Sequence, residues 1–332
     1  MKVILAQPRG FCAGVQRAID IVERALALFG PPIYVRHEIV HNGHVVGRLR
    51  AKGVRFVDDL AEVPTGSVTI FSAHGVSSAV EREATGLGLR VVDATCPLVA
   101  RVHLEAMRYV RNGHEVVLIG HAGHAEVVGT LGRMDGGRAH LVSDIADVDR
   151  LSVADPERVA YVTQTTLSVD DTRAIIDALK ARYPAIKGPD TKDICYATQN
   201  RQRAVRDLAA QADVVLVVGA ANSSNSVRLW EIAQTAGTPA YRIDDADGLD
   251  PAWLDGTSVV GITAGASAPD DLVQGLVARI GSLFDTTVTI LDGVEEDVHF
   301  RLPPEVAHGA APTAVEIVVG QAQTGTPESV GA

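Results

Sequence analysis

An α/β fold of three related units, each a small parallel sheet with its helices and all three set about a pseudo-threefold axis, is what this sequence predicts. Three observations carry that prediction. Cys12, Cys96 and Cys195 each stand between a strand-like run and a helical pattern. Two further sets of three polar loops recur in register beyond those cysteines. Continuous β-branched runs alternate with helical segments, as in parallel sheets covered by helices.

Taken in order, KVILAQPRGFC opens the chain as a strand leading to Cys12. Val15, Ile19, Val22, Leu26 and Phe29 then recur at helical spacing until Gly30-Pro31 stops them. LRVVDATC leads to Cys96, and Pro97 suits a first helical turn. Val99, Val102, Ala106 and Val110 continue that helix to Asn112-Gly113. TKDICYATQN reads as the third strand-to-helix junction, at Cys195, with Val205, Leu208 and Ala212 on the following face. The first set of polar loops ends IYVRHEIVH at His41, VVLIGHAGH at His124 and VVLVVGAANSSN at Asn225, 28 to 30 residues past the cysteines. The second closes VTIFSAH at His74, VAYVTQT at Thr165 and VVGITAGAS at Ser267, 33 to 42 residues further on. That register indicates an internal triplication.

Ligands in such sheets bind beyond the C-terminal strand ends. All nine loops should therefore open on one side, with the three thiols meeting on the axis. The expected units are 14–96, 97–194 and 195–285, the first two each ending in the strand before the next cysteine. The N-terminal segment 1–13, through its strand Lys2 to Gln7, completes the third by cyclic closure. Beyond Thr286 the pattern fades. Within 286–332 the reading is a strand near Val288 to Leu291 and then a largely disordered tail.

Composition narrows the function. Hydrophobic residues make up 46% of the chain, enough to build buried cores, while the net charge of −11 argues against a nucleic-acid binder. The apolar start is stopped by Gln7-Pro8, too soon for a signal-peptide core, and no run approaches the ~20 residues of a membrane span. Three cysteines, an odd number, suit a reducing cytoplasm better than a disulfide framework.

Three convergent thiols admit several readings. Buried cysteines are commonly inert fillers. Structural zinc wants a fourth ligand, and the usual paired spacing is absent. A [4Fe–4S] cluster held by three thiolates would leave one iron open to substrate. The loops facing that centre offer His41, His74, His124, Thr165, Ser223, Ser224, Asn225 and Ser267, a donor-rich lining suited to phosphate oxygens. The SSNS run at 223–226 also reads as a helix cap. Glu126 is the one obvious carboxylate among the loops and suits proton delivery. His124-Ala125-Glu126 superficially matches half of a zinc deaminase motif, but no P-C-x-x-C follows. Asp170-Asp171 and Asp270-Asp271 read as helix caps and dipole partners.

With these residues assembled, the chain resembles the 4-hydroxy-3-methylbut-2-enyl diphosphate reductase (IspH/LytB) family. PRGFCAGV, YVRHEIVHN, FSAHGVS, DATCPLV, IGHAGHAEV, TQTTLSVDDT, DICYATQNRQ, NSSNS and TAGASAPD carry the likeness over residues 1 to about 300. The resemblance implies a [4Fe–4S] cluster on Cys12, Cys96 and Cys195, and reductive loss of an allylic hydroxyl to give isopentenyl and dimethylallyl diphosphates. It implies that His41, His74, Ser223, Asn225 and Ser267 hold the diphosphate with Ser224 close by. His124, Thr165 and Glu126 would surround the hydroxyl, with Glu126 as the proton donor. A ferredoxin- or flavodoxin-like protein would supply electrons. The rival classes are an open-iron hydro-lyase, a quinolinate-synthase-like enzyme and an iron–sulfur sensor. Need for an external reductant separates the first from a reductase, and the acidic balance weighs against a DNA-reading sensor.

Overall fold

A computed structural model describes residues 1–307. Its strands in chain order are β1 (Lys2–Leu5), β2 (Ile33–Arg36), β3 (Val54–Val57), β4 (Val68–Phe71), β5 (Arg90–Asp93) and β6 (Glu115–Ile119). β7 (Ala139–Val142), β8 (Val159–Thr163), β9 (Val214–Val218), β10 (Ala240–Ile243), β11 (Val259–Ala264) and β12 (Thr287–Ile290) follow. They form three parallel sheets, ordered β3-β2-β4-β5, β7-β6-β8 and β10-β9-β11-β1-β12. β1 lies beside β11 with Lys2 opposite Val259, so the chain start closes the third sheet as cyclic closure requires. β6 and β9 are buried at every residue, as central strands covered on both faces must be. The expected three-unit α/β architecture is present.

Each cysteine is the N-cap of a helix: Cys12 of Ala13–Phe29, Cys96 of Pro97–Arg111 and Cys195 of Tyr196–Ala209. The first buries Ala18, Ile21, Val22 and Ala25 against Ile33, Val35 and Ile70 of its sheet. It ends at Gly30, whose φ of 72° is left-handed and whose N–H closes on the Leu26 carbonyl. The second begins with Pro97, which lacks only an N–H that the first turn leaves free. A cyclic set of backbone bonds fixes the caps. The amides of Cys12, Cys96 and Cys195 donate to the carbonyls of Ala266 (3.2 Å), Ala73 (3.0 Å) and Thr165 (3.1 Å), each in a loop of the second polar set.

Several local expectations need correction. TKDIC is not a strand; Asp190–Asp193 form a 3₁₀ turn. Lys187 starts a ladder, donating to Val159 (3.1 Å) and accepting from Tyr161 (2.8 Å), but Pro189 has no N–H to extend it. The Asp193 carboxylate replaces the missing strand, accepting the Thr163 amide at 3.1 Å. The acidic pairs are not caps. Ser168 caps the helix Val169–Arg182, and the helix Asp270–Leu283 follows Pro269, which makes no side-chain cap. The aspartates occupy the first turns, where Asp171 reaches Arg228 and Asp271 reaches Arg48. The C-terminal strand begins at Thr287 and pairs with β1, so it belongs to the third sheet.

Residues 292–307, expected to be disordered, instead strap the sheets together. Glu296 meets the buried Arg201 guanidinium with both oxygens at 3.1 Å. Val306, fully buried, joins the core of the first sheet. The expectation of disorder over 308–332 lies outside the described residues. Among the described residues no helix is long and apolar enough to cross a membrane.

The strap should matter to stability. Arg201 is 1% exposed, and loss of its carboxylate partner leaves a buried charge. Glu296→Ala should cost about 3 kcal/mol by urea unfolding, against under about 0.5 kcal/mol for the exposed neighbour Glu295→Ala. Equal midpoints for the two variants would mean the strap is only draped on the surface.

Candidate active site

Cys12, Cys96 and Cys195 line a single cavity of about 100 Å³ between the sheets. His41, His74, His124, Glu126, Thr165, Ser223, Ser224, Asn225 and Ser267 line it too. The structure therefore brings together every residue the sequence singled out. An open groove of about 680 Å³ shares His41 and His124 with the cavity wall.

On the thiol side, Gly14 leaves the space the sulfurs occupy. A Cβ there would stand 2.6 Å from Cys96 Sγ and 3.8 Å from Cys12 Sγ. Burial, then the neighbouring Cys12, pushes the Cys96 thiol up to about 12. The same two causes push Cys195 up to about 11, although the Thr198 hydroxyl (3.2 Å) and amide (3.4 Å) both reach its sulfur. Thiolates this crowded need a cation among them, while three helix N-termini favour the anionic form. Three cysteine side chains lining one cavity, with Gly14 keeping the space beside two of their sulfurs clear, fit a group with several metal atoms. That fit rests on Gly14 and the three caps.

On the polar side, His41 stacks on His74 with ring centres 4.1 Å apart, and His124 meets both rings edge-on at 5.4 and 5.9 Å. Burial and the neighbouring imidazoles hold His74 well below the usual histidine range and bring His124 down to about 4. His124 Nδ1 accepts the Glu126 amide at 3.2 Å, which puts its proton on Nε2. His41 Nδ1 lies 3.1 Å from the Glu38 carboxylate, and its buried Nε2 has no partner. Asn225 accepts the Ala266 amide at 2.8 Å while its buried Nδ2 is likewise unpartnered. The orphaned Asn225 amide nitrogen, always a donor, marks a place for an acceptor oxygen, and the orphaned His41 nitrogen belongs to the same cavity wall.

Ser223 caps the helix Ser224–Thr235, accepting the Ser226 amide at 3.3 Å, so the capping reading of SSNS holds. The Ser267 hydroxyl donates to the His41 carbonyl at 2.9 Å and lies 3.5 Å from Ser223 Oγ. Glu126 is 2% exposed and accepts from Thr165 twice, from the amide at 2.7 Å and the hydroxyl at 2.9 Å. Burial outweighs those two bonds and carries its pKa up to about 7.

Sequence reasoning missed the residues that hold these groups in place. Glu38 orients His41, and Thr166 bonds Ser224 at 3.1 Å. Thr198 serves the Cys195 sulfur, and Gln164 donates to Thr166 at 2.9 Å. Glu38, Gln164, Thr166 and Thr198 all sit inside the motifs quoted above. Only their spatial partners distinguish them from ordinary loop and cap residues.

The family model described as LytB protein matches residues 3–281. A 4-hydroxy-3-methylbut-2-enyl diphosphate reductase of Zymomonas mobilis is 58% identical over 308 residues, covering 93% of this chain and 90% of that protein. The solved E-1-hydroxy-2-methyl-but-2-enyl-4-diphosphate reductase of Plasmodium falciparum superposes with a TM-score of 0.88 at 38% identity, over 92% of this chain and 96% of that one. A second solved structure is described as (E)-4-hydroxy-3-methyl-but-2-enyl diphosphate reductase, terminal enzyme of the non-mevalonate pathway. It superposes at 0.62 and 35% identity over 85% of this chain and 99% of that one. Matched by that family model over residues 3–281 and 58% identical to such a reductase over 93% of its length, the chain belongs to the LytB protein family.

Proposed function

We propose that this chain is an iron–sulfur reductase that converts (E)-4-hydroxy-3-methylbut-2-enyl diphosphate to isopentenyl and dimethylallyl diphosphates, the last step of the non-mevalonate isoprenoid route. One observation carries the reading: three thiols, three imidazoles and a buried carboxyl held by a threonine line one cavity. Cys12, Cys96 and Cys195 would hold a [4Fe–4S] cluster. When bound, it supplies single electrons and an iron with an open position. The electrons come from a ferredoxin- or flavodoxin-like donor.

The reaction takes up two electrons and two protons. The C–O bond breaks, the oxygen leaves as water after gaining one proton, and the allyl fragment gains the electrons and the other proton. The chain's residues divide this work. His41 and Asn225 present their free nitrogens to the diphosphate, with His74, Ser223 and Ser267 beside them and Ser224 at the edge. Thr165 and the Nε2–H of His124 position the hydroxyl. Glu126, its pKa raised by burial to about 7, is protonated in part near neutral pH and passes its proton through the neighbouring Thr165 hydroxyl once that hydroxyl turns from donating to it to accepting from it. Burial keeps bulk water from quenching the path.

Three outcomes test this. Anaerobically prepared protein should hold iron and sulfide in comparable amounts, and Cys→Ser at position 12, 96 or 195 should each lower both, since hydroxyls bind iron poorly. Zinc in their place would sink the cluster.

His41→Ala and Asn225→Ala should each weaken substrate binding by about 1–3 kcal/mol in calorimetry and leave the iron and sulfide content unchanged. Wild-type affinity in both variants would put the diphosphate elsewhere.

Glu126→Gln keeps the size and reach of the side chain but cannot release a proton. Turnover should drop by about 10²–10⁴-fold while substrate still perturbs the cluster spectrum. Near-normal turnover would take Glu126 off the proton path.

A further inference from the structure

An arginine follows each cysteine by five or six residues: Arg17 after Cys12, Arg101 after Cys96 and Arg201 after Cys195. That spacing places each in the second turn of the helix its cysteine caps. None donates to the loop before its own cysteine, and Arg201 alone also reaches a carbonyl of its own first turn, that of Ala197 at 3.0 Å. Arg17 donates to the carbonyls of Ala94 (3.4 Å) and Thr95 (3.0 Å), immediately before Cys96. Arg101 donates to the Lys192 carbonyl, three residues before Cys195, and lies 3.7 Å from the Asp193 carboxylate. Arg201 donates to the carbonyls of Gly10 (2.8 and 3.0 Å) and Phe11 (3.2 Å), immediately before Cys12. The contacts run in one direction, 12 to 96 to 195 and back to 12, and close a ring.

We propose that Arg17, Arg101 and Arg201 are positioning residues that preset the three thiols for the cluster, each fixing the loop of the next cysteine in the cycle. This rests on the cysteines being the cluster ligands. Cooperative binding at three loops from three sheets loses affinity to the entropy of ordering them. A guanidinium that spans carbonyls of the neighbouring loop removes that freedom before any metal arrives. Charged donors to carbonyls are among the stronger hydrogen bonds available for it. The ring also ties the strap to the site, because Arg17 Nε donates to the Arg301 carbonyl at 2.8 Å and Arg201 holds Glu296.

The direction of the ring makes the test specific. Arg17 and Arg101 suit it, because Arg201 is too buried to replace without risk to the fold. Hydrogen exchange is followed peptide by peptide on anaerobic holoprotein, beside the rate of iron release to a chelator. Arg17→Gln should speed exchange of the Cys96 amide by about tenfold or more, leaving the amides of Cys12 and Cys195 at wild-type rates. Arg101→Gln should do the same at Cys195, sparing Cys96 at the head of its own helix. Both variants should release iron several-fold faster. Acceleration at the arginine's own cysteine, or at all three alike, would reduce the ring to general packing and overturn the proposal. Local acceleration with wild-type iron release would cut its link to the cluster. Wild-type protein lacking iron and sulfide would instead remove the cofactor reading on which the proposal stands.

Discussion

The structure turns on one constraint: three sulfurs from three separate sheets must reach the same small cavity as helix N-caps. A thiol at a cap lies at the positive end of its helix, and its backbone is set by whatever the cap amide bonds. Here those amides bond Ala266, Ala73 and Thr165, so each cysteine is fixed by a loop that also lines the cavity. Sheet order, crossover length and the chain-end strands beside β1 all serve that convergence. A shift in any one sheet moves a sulfur and a polar wall together.

The electrostatics follow from the same closure. Burial disfavours the charged form of the groups it encloses: it pushes the Cys195 and Cys96 thiols up to about 11 and 12 and Glu126 up to about 7, and brings His124 down to about 4. A cationic metal core would favour the thiolates again, and an anion would meet the donor groups of the polar wall.

Much of this was legible in the sequence because triplication repeats the signal. One cysteine before a helix means little, while three with polar loops in register are hard to reach by accident. The lining residues were found that way, and so was the closing role of β1. What the sequence hid depends on partners distant in the chain. TKDIC looks like a strand by composition, but Pro189 stops the ladder and Asp193 substitutes for it. The segment 292–307 has no periodicity to read, and it is ordered by Arg201 and by the pocket that receives Val306. Glu38, Thr166 and Thr198 look like ordinary loop and cap residues until His41, Ser224 and Cys195 are placed beside them.

A symmetric scaffold hosts an asymmetric reaction, and the corresponding loops show how the three units divided it. The first polar set ends in His41, His124 and Asn225; two positions on stand Gly43, Glu126 and Val227. Only the middle unit carries a carboxyl there. It also supplies Thr165, which holds that carboxyl with two hydrogen bonds. The first and third units supply His41 and His74, and Ser223, Asn225 and Ser267, where two buried nitrogens stand unpartnered. Proton transfer needs a neutral, shielded acid, whereas anchoring a polyanion needs open donors, and one loop cannot meet both demands. Repetition made the thiol cradle. Single positions that differ within that repeat put the buried carboxyl in the middle unit and the two unpartnered nitrogens in the first and third.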